Sequence, residues 1–243
     1  MSFRTSTPSW DTVGTAVQAL PAWDLRLLHG LTKEGAMLAD IRMPDSSIVR
    51  QAGELARDVS GDMLYNHVMR CYWFGELYAR ISTIEIDSEQ LFLSAVFHDL
   101  GLTEHARGPH RFEIESANAA RGFLTEKGVS NIMAQNVWDD IALHTWDMNF
   151  FRSGTSQAVQ FGITYDVVGF PGIEIETADM TELLRRYPRL GFTRGFHALL
   201  EQDLDSHRPY PHAFHPCSRI AHARSGLVIE DLATLQARAP FAQ

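Results

Sequence analysis

Apolar residues recur at helical spacing along almost the whole chain, and this periodicity restricts the fold more than any other feature. The segment Leu91–Phe97 (LFLSAVF) is apolar on every side, which predicts a helix buried all round. Asp87 and Gln90 form a capping pattern before it, and Gly101 marks its end. Ile81–Ile86 (ISTIEI) is interpreted as a link between helices rather than a strand. We therefore predict an all-α fold.

The same periodicity divides a single domain into roughly nine helices. Asp45 is available as an N-cap for the first of them, and Gly128 ends another. Residues 145–154 and the proline- and histidine-rich stretch 206–216 are predicted to be loops. The predicted helices are Ser46–Val59, Leu64–Ile81, Asp87–Leu100, Arg111–Lys127, Ser130–His144, Thr155–Val168, Met180–Tyr187, Phe192–Leu204 and Gly226–Arg238.

Composition and charge narrow the class of protein. The 243 residues are 45% hydrophobic and 21% charged, which is ordinary for a globular chain. The net charge is -9 and no basic cluster occurs, so we expect no nucleic-acid partner. No apolar run reaches the roughly 20 residues of a membrane span, and Met1–Gly30 lacks a signal-peptide core. Two cysteines, Cys71 and Cys217, favour a reducing compartment, so we expect a cytoplasmic protein.

One of the chain's histidines lies where chemistry is expected, since His98-Asp99 ends the most buried predicted helix. A carboxylate in apolar surroundings is costly unless it is compensated, and a divalent metal would do this. Imidazole and carboxylate ligands suit zinc, iron, manganese or cobalt. Adjacent helical side chains diverge by about 100°, so a shared metal would have to lie between them. His67 and Asp166, on other predicted helices, are candidate partners.

The order His67, His98-Asp99, Asp166 along predicted helices resembles the HD-domain superfamily of metal-dependent phosphohydrolases. The chain is more similar still to the cyanamide-hydratase-like branch, over roughly residues 45–205. The segments that carry this likeness are Tyr65-Asn66-His67, Ala95–Thr103 (AVFHDLGLT), Arg111-Phe112-Glu113, Ala117–Ala120 and Ile141–Thr145 (IALHT). The resemblance implies an HD domain at 45–205, preceded by an N-terminal arm (1–44). A C-terminal extension (206–243) would pack on that domain or on a partner subunit.

The resemblance also implies a ligand set for one divalent metal, with Zn²⁺ preferred and Fe²⁺ as the alternative. The four implied ligands are His67, His98, Asp99 and Asp166. Dinuclear members add two histidines on the intervening helices. Here the second of those helices ends in His144, whereas the first (RFEIESANAARGF) contains no histidine. We therefore expect one metal, although Glu113 offers an oxygen ligand for a second.

The activity implied by the resemblance is hydration of a small nitrile-like substrate, with cyanamide giving urea. Hydroxide formed at the metal would attack the nitrile carbon, because the metal lowers the pKa of bound water from about 15.7 to about 7. Asp99 is the expected proton acceptor, with Glu113 or His144 as a relay. The expected substrate-binding residues are Asn66, Arg70, Asn118 and Trp146. Such proteins often self-associate, so a homo-oligomer is also an expectation.

Other functions stay open at this point. A phosphohydrolase acting on a nucleotide or small phosphomonoester needs cationic groups, for which Arg70 and Arg111 are the candidates. A dinuclear iron oxygenase is disfavoured by the histidine missing from the first intervening helix. A degenerate domain that senses a ligand is disfavoured because the ligand set is complete.

Each singled-out residue also has a structural alternative. Asp166 would then cap a helix or pair with an arginine, and His144 would be an ordinary helix-end residue. Glu113 would be a solvated acid in the first turn of its helix. Cys71 is expected in the core rather than as a nucleophile. The histidines of the 206–216 stretch are expected in a surface loop: His207, His212 and His215.

Overall fold

The computed structural model describes residues 38–169 and 175–206, which form seven α-helices and contain no β-strand. The all-α prediction is therefore confirmed. None of these helices is long and apolar enough to cross a bilayer. The predicted helix Gly226–Arg238, the 207–216 loop and most of the 1–44 arm lie outside the described residues. The helices are α1 (Ser47–Ser82), α2 (Ser88–Phe97), α3 (Phe112–Glu126), α4 (Asn131–Ala142), α5 (Gly154–Val168), α6 (Thr177–Arg186) and α7 (Phe192–Ser206).

The long helix α1 joins two segments that the sequence predicts as separate helices. Ser46, not Asp45, is its N-cap, with Ser46 Oγ accepting from the Val49 N–H at 3.3 Å. At Gly61 the backbone leaves the helical region, with φ 66° and ψ 160°, which glycine adopts without steric cost. The sequence therefore predicted a real interruption, and the second half of α1, which carries His67, begins after it.

Helices α1 and α5 approach each other more closely than side chains would normally permit. A Cβ at Gly162 of α5 would overlap the Cys71 carbonyl of α1, and one at Gly75 of α1 would lie 2.8 Å from the Ala158 carbonyl oxygen. Only hydrogen fits at either position. The two backbones are therefore close enough for short side chains to bridge the helices.

Helix α2 is the most buried element, as its apolar sequence predicts, with every residue from Gln90 to Phe97 buried. Asp87 caps it, because Asp87 Oδ1 accepts from the backbone N–H groups of Glu89 and Gln90 at 3.0 Å each. The helix ends at Phe97 and not at Leu100, and a short 3-10 turn, Leu100–Leu102, follows. His98 and Asp99 therefore lie between the helix and the turn.

The last described helix, α7, covers that turn. Its residues Leu200 and Leu204 form a buried cluster with Leu102 of the turn and Phe112 of α3. Burial of such side chains contributes about 1.5–3 kcal/mol each. The cluster holds α7 beside the turn that follows Asp99.

Candidate metal centre

The end of α2 at Phe97 explains why the side chains of His98 and Asp99 converge. His98 is still helical (φ -61°, ψ -25°), whereas Asp99 adopts φ -111° and ψ 11°, a conformation common in active sites. The divergence of about 100° expected on a helix is thereby removed. As a result, His98 Nε2 lies 3.2 Å from Asp99 Oδ2.

His67 Nε2, His98 Nε2 and Asp99 Oδ2 form a nearly equilateral triangle. Its edges are 3.2 Å between the two nitrogens, and 3.2 and 3.4 Å from the oxygen to His98 and His67. In a tetrahedral site with bonds of 2.0–2.1 Å, neighbouring ligand atoms lie about 3.3–3.4 Å apart. All three side chains are at most 1% exposed. The spacing therefore fits three ligands of one small divalent ion.

Three neighbouring histidines, His67, His98 and His144, each have a hydrogen-bond acceptor at the Nδ1 atom of the ring. His98 and His144 place Nδ1 at 2.7 and 2.6 Å from the backbone carbonyl three residues earlier, and His67 Nδ1 lies 2.7 Å from Asp166 Oδ2. Carbonyl and carboxylate oxygens only accept, so each Nδ1 carries a proton. In the neutral ring Nε2 then keeps its lone pair, which is the arrangement of metal-ligating histidines.

The Asp99 carboxylate, in contrast to the three imidazoles, has no hydrogen-bond partner among the described residues. It is 1% exposed, and neither of its oxygens accepts a hydrogen bond from the part of the chain that the structure describes. Burial raises its pKa, but His98 and then His67 outweigh this and hold the pKa well below its usual range. The carboxylate is therefore charged, and a buried charge without compensation costs several kcal/mol. A cation beside Asp99 would compensate this charge.

A proton on His67 supplies part of that positive charge. Burial lowers the pKa of His67, but the Cys71 sulfur 3.6 Å away and the neighbouring carboxylates of Asp166 and Asp99 raise it well above its usual value. A divalent ion supplies more charge and contacts several ligand atoms at once. Metal and proton would therefore compete for the same Nε2 lone pair.

His144 extends the cluster on the other side of Asp99. Its Nε2 lies 3.9 Å from Asp99 Oδ1, and His98, Asp99 and His144 offer ligand atoms within 4.8 Å of one another. Burial, helped by His98, lowers the pKa of His144 to about 4, so it is neutral at pH 7. The buried cluster of His67, His98, Asp99 and His144 could therefore hold a metal ion. The sequence analysis expected His144 as a proton relay and matched it to one of the two additional histidines of dinuclear members.

Asp166, the predicted fourth ligand, faces His67 Nδ1 rather than Nε2. Arg70 Nε and Nη2 donate to its two oxygens at 2.7 and 2.8 Å, and Arg189 Nη1 donates to Oδ1 at 3.1 Å. Burial raises the pKa of Asp166, but Arg70 and His67 bring it below its usual range. The structure thus gives Asp166 the arginine partner that the sequence analysis left open as an alternative.

The predicted substrate-binding residues are placed in several different ways. Arg70 is fully buried and bonded to Asp166. Asn66 Nδ2 donates to the Pro188 carbonyl at 2.9 Å. Asn118 Oδ1 accepts from Trp138 Nε1 at 2.9 Å, between α3 and α4. Trp146 is half-buried in the turn after α4. The first three use polar groups to hold the framework, and the sequence carries no signal for those partners.

Glu113 is fully buried rather than a solvated first-turn acid. A Cβ at Gly101 would overlap the backbone of Phe112, so this glycine lets α3 begin close to the Leu100–Leu102 turn. Thr145 Oγ1 donates to Glu113 Oε1 at 2.7 Å, and Oε2 lies 4.0 Å from Arg111 Nε. The Glu113 charge favours protonation of His144. The structure therefore brings the predicted proton-transfer residues Glu113 and His144 within electrostatic reach of each other.

Aromatic rings flank the imidazoles. Phe192 stacks on His67 with ring centroids 4.4 Å apart, and Phe196 lies 5.5 Å from the same ring. Phe112 lies 5.6 Å from the His144 ring. Helix α7 and the start of α3 thus give the centre apolar neighbours, which strengthen electrostatic interactions within it.

No protein-family model matches this chain, and no curated protein matches it in a sequence search. The sequence motifs and the geometry of the centre are therefore the basis for a functional assignment.

Proposed function

We propose that this protein is a metal-dependent enzyme of the HD-domain type that hydrates a small nitrile-like substrate, cyanamide to urea. One observation carries the metal dependence. The Nε2 atoms of His67 and His98 meet a charged, fully buried Asp99 carboxylate that has no hydrogen-bond donor among the described residues. The order of these residues along the chain supports the HD-domain assignment.

His67, His98 and Asp99 would hold the ion, with His144 beside them. Three protein ligands of nitrogen and oxygen type are typical of catalytic zinc sites, and they also suit iron. When bound, a divalent ion lowers the pKa of its water from about 15.7 to about 7 and polarises the substrate.

Proton transfer would fall to the carboxylates of the chain. Hydration adds the water oxygen to the nitrile carbon and transfers one water proton to the nitrile nitrogen, which gives an imidic acid. The second proton then moves from that oxygen to the same nitrogen, and the product is an amide. Asp99 Oδ1, which faces His144 at 3.9 Å, would accept the water proton. Glu113, fixed by Thr145, would pass a proton to the substrate nitrogen.

The surroundings of the centre favour a small uncharged substrate. Phe192 and Phe196 flank His67, so the neighbouring surface is apolar. The guanidinium groups of Arg70 and Arg189 are both bonded to Asp166. The Arg70 guanidinium is also completely buried, and all three of its nitrogens have protein acceptors, which favours an uncharged substrate over an anionic one.

A phosphohydrolase is the second candidate, and one observation favours it. Arg111 Nη1 is buried and has no hydrogen-bond partner within 38–169 and 175–206. A phosphate oxygen would supply the acceptor, since arginine binds phosphate through several donors. The hydratase assignment therefore has to be tested against phosphate release.

The test is a paired assay of protein reconstituted with Zn²⁺ or Fe²⁺. Urea formed from cyanamide is measured by a urease-coupled assay, and phosphate release is measured on a nucleotide panel. We expect metal-dependent urea formation that stops when the ion is chelated. Phosphate release without urea would overturn the hydratase proposal in favour of the second candidate. Neither product would contradict both.

The proton-transfer role is tested on two glutamates of the same helix. Glu113→Gln should lower kcat by about 10²–10⁴-fold, because a positioned acid or base contributes that much, while metal content is unchanged. Glu115→Gln is the matched control, since Glu115 accepts from His110 at the exposed start of α3. Equal activity of the two variants would exclude Glu113 from the reaction.

A further inference from the structure

We propose that Asp166 is a positioning residue rather than a metal ligand, and that Arg70 fixes it in this role. This inference rests on the metal centre proposed above. In this arrangement Asp166 holds His67 through Nδ1, so that Nε2 remains directed at His98 and Asp99.

The carboxylate of Asp166 is already fully used by the protein. Its Oδ2 contacts His67 Nδ1 at 2.7 Å and accepts from Arg70 Nη2 at 2.8 Å. Its Oδ1 accepts from Arg70 Nε at 2.7 Å and from Arg189 Nη1 at 3.1 Å. The two parallel bonds from Arg70 are the strongest form of such a pair. A metal bound to Asp166 would have to displace a charged partner.

Arg70 is in turn held where it is. Its side chain is completely buried, and Nη1 donates to the carbonyl oxygens of Tyr187 and Pro188 at 2.9 and 3.3 Å. Every guanidinium nitrogen therefore has an acceptor in the described structure. If Asp166 turned away towards a metal, Arg70 would keep a buried charge without a counter-ion, which is strongly unfavourable.

The packing of α1 against α5 places His67 and Arg70 within reach of Asp166. Arg70 follows His67 by three residues on α1, so both side chains lie on the face that meets α5. Gly162 and Gly75 allow the close approach of α5 to α1, and a short aspartate can then reach both residues. Phe192 stacks on the His67 ring at 4.4 Å and restrains its remaining rotation.

Asp99 provides the contrast that decides between ligand and positioning residue. Asp166 has charged donors at both oxygens, whereas Asp99 has no hydrogen-bond donor from the described chain. A cation entering the centre gains from Asp99 without displacing a protein partner. Carboxylates that orient a ligating histidine from outside typically change metal affinity about 10–100-fold when they are removed.

The first experiment compares wild type, Asp166→Asn and Asp99→Asn by dialysis against Zn²⁺, elemental analysis and zinc-edge X-ray absorption. We expect Asp166→Asn to retain one ion with an unchanged ligand shell and a Kd about 10–100-fold higher. Asp99→Asn should lose the ion. Loss of stoichiometric binding in Asp166→Asn, or of one ligand from its zinc shell, would overturn the inference and leave the proposed function intact. A wild type that binds no ion would overturn both.

The second experiment tests the role of Arg70. Arg70→Lys keeps the charge but not the two parallel bonds, so Zn²⁺ affinity should fall about as much as in Asp166→Asn. The double variant should show little further loss, because both changes break one unit. Arg186→Gln is the control, since Arg186 pairs with Glu182 at the surface and should leave Kd unchanged. A folded Arg70→Lys protein with wild-type affinity would contradict the proposal.

Arg70 is buried, so its variant must be checked by circular dichroism and thermal unfolding. Arg189→Gln offers a milder change, because Arg189 is 39% exposed and donates only one bond, at 3.1 Å, to the Asp166 carboxylate. We expect a Kd increase smaller than that of Asp166→Asn. If Arg70→Lys does not fold, the X-ray absorption comparison of Asp166→Asn still decides between ligand and positioning residue.

Discussion

Asp140 and Asp99 are both at most 1% exposed, yet they are surrounded in opposite ways. Asp140 accepts four side-chain hydrogen bonds of 2.6–3.2 Å, two at each oxygen. Asp99 accepts none from the described residues, and the polar atoms that pair with it are imidazole nitrogens at 3.2–3.9 Å. The donors to Asp140 are Gln90, Ser94, Arg152 and Ser156.

The difference separates a carboxylate that the fold itself hydrogen-bonds from one that is available to a cation. Asp140 joins α2, α4 and α5, and its backbone carbonyl also accepts from Asn149 in the turn after α4. Its donors are supplied by the fold, so it needs nothing from solvent. Asp99 has a charge that the described fold does not bond, which is the condition for binding a cation. Four variants or conditions can break or sharpen this contrast.

The largest effect is expected for Asp99→Asn. Removing the charge should abolish stoichiometric metal binding and turnover, because the Asp99 carboxylate is the charged ligand that attracts the ion. The metal-free variant should unfold at the same temperature as the metal-free wild type or higher, since a buried anion has become neutral. Calorimetric Tm values and elemental analysis measure both. A lower Tm with retained metal would mean that Asp99 is structural after all.

Asp140→Ala should show the reverse behaviour. The free energy of unfolding should fall by about 3–5 kcal/mol, because the donors of Gln90, Ser94 and Ser156 lose a buried acceptor and the partly exposed Arg152 loses one of its two carboxylate partners. Metal stoichiometry of the folded fraction should be unchanged. Asp139→Ala is the control, because this neighbour is half-buried and pairs with Arg152 at 3.1 Å, where a loss below about 1 kcal/mol is expected. Urea unfolding measures both, and equal losses would contradict the distinction.

Gly162→Ala tests whether the approach of α5 to α1 supports the centre. Its Cβ would overlap the Cys71 carbonyl, so we expect a loss of about 1–3 kcal/mol and weaker Zn²⁺ binding as His67 and Asp166 separate. Gly122→Ala is the control, because that helical position has open space around its Cβ and should gain up to about 1 kcal/mol. Similar stability changes in the two variants would show that the close contact is unimportant.

The smallest effect is a proton released on metal binding. The raised pKa of His67 means that the ring carries an extra proton, which the ion must displace. Affinity should therefore fall as pH drops below that pKa, by about tenfold per pH unit for one proton. His144, with its pKa near 4, should contribute only in more acidic solution. Titration calorimetry in two buffers of different ionisation enthalpy counts the protons, and a pH-independent Kd would contradict the competition.

Helical periodicity was enough to predict the all-α class and most helix boundaries. His98-Asp99 was also found from sequence, because a charged pair at the end of an apolar helix is unusual. The true end of α2 at Phe97 was not predicted, since the change of backbone conformation between His98 and Asp99 has no signal in the sequence. The sequence indicated that the buried Asp99 charge would need a compensating positive charge. It did not indicate the backbone geometry that lets the His98 and Asp99 side chains converge.

Partners that depend on the crossing of two helices could not be predicted. Asp166 is 96 positions from Arg70, and their contact follows from the approach of α5 to α1. Asp140 gave no signal at all, since an acidic residue in the sequence WDDIALHT looks like part of a solvated helix face. The sequence thus identified Asp166 but not Asp140, and only the fold shows that the protein itself supplies hydrogen-bond donors to both carboxylates.

The most direct test of the metal centre is the Zn²⁺ content of the purified wild-type protein after reconstitution and exhaustive dialysis, measured beside Asp99→Asn and Asp140→Asn. We expect about one ion per chain in the wild type and in folded Asp140→Asn, and none in Asp99→Asn. No retained ion in the wild type, or equal retention in all three proteins, would contradict a metal centre at Asp99.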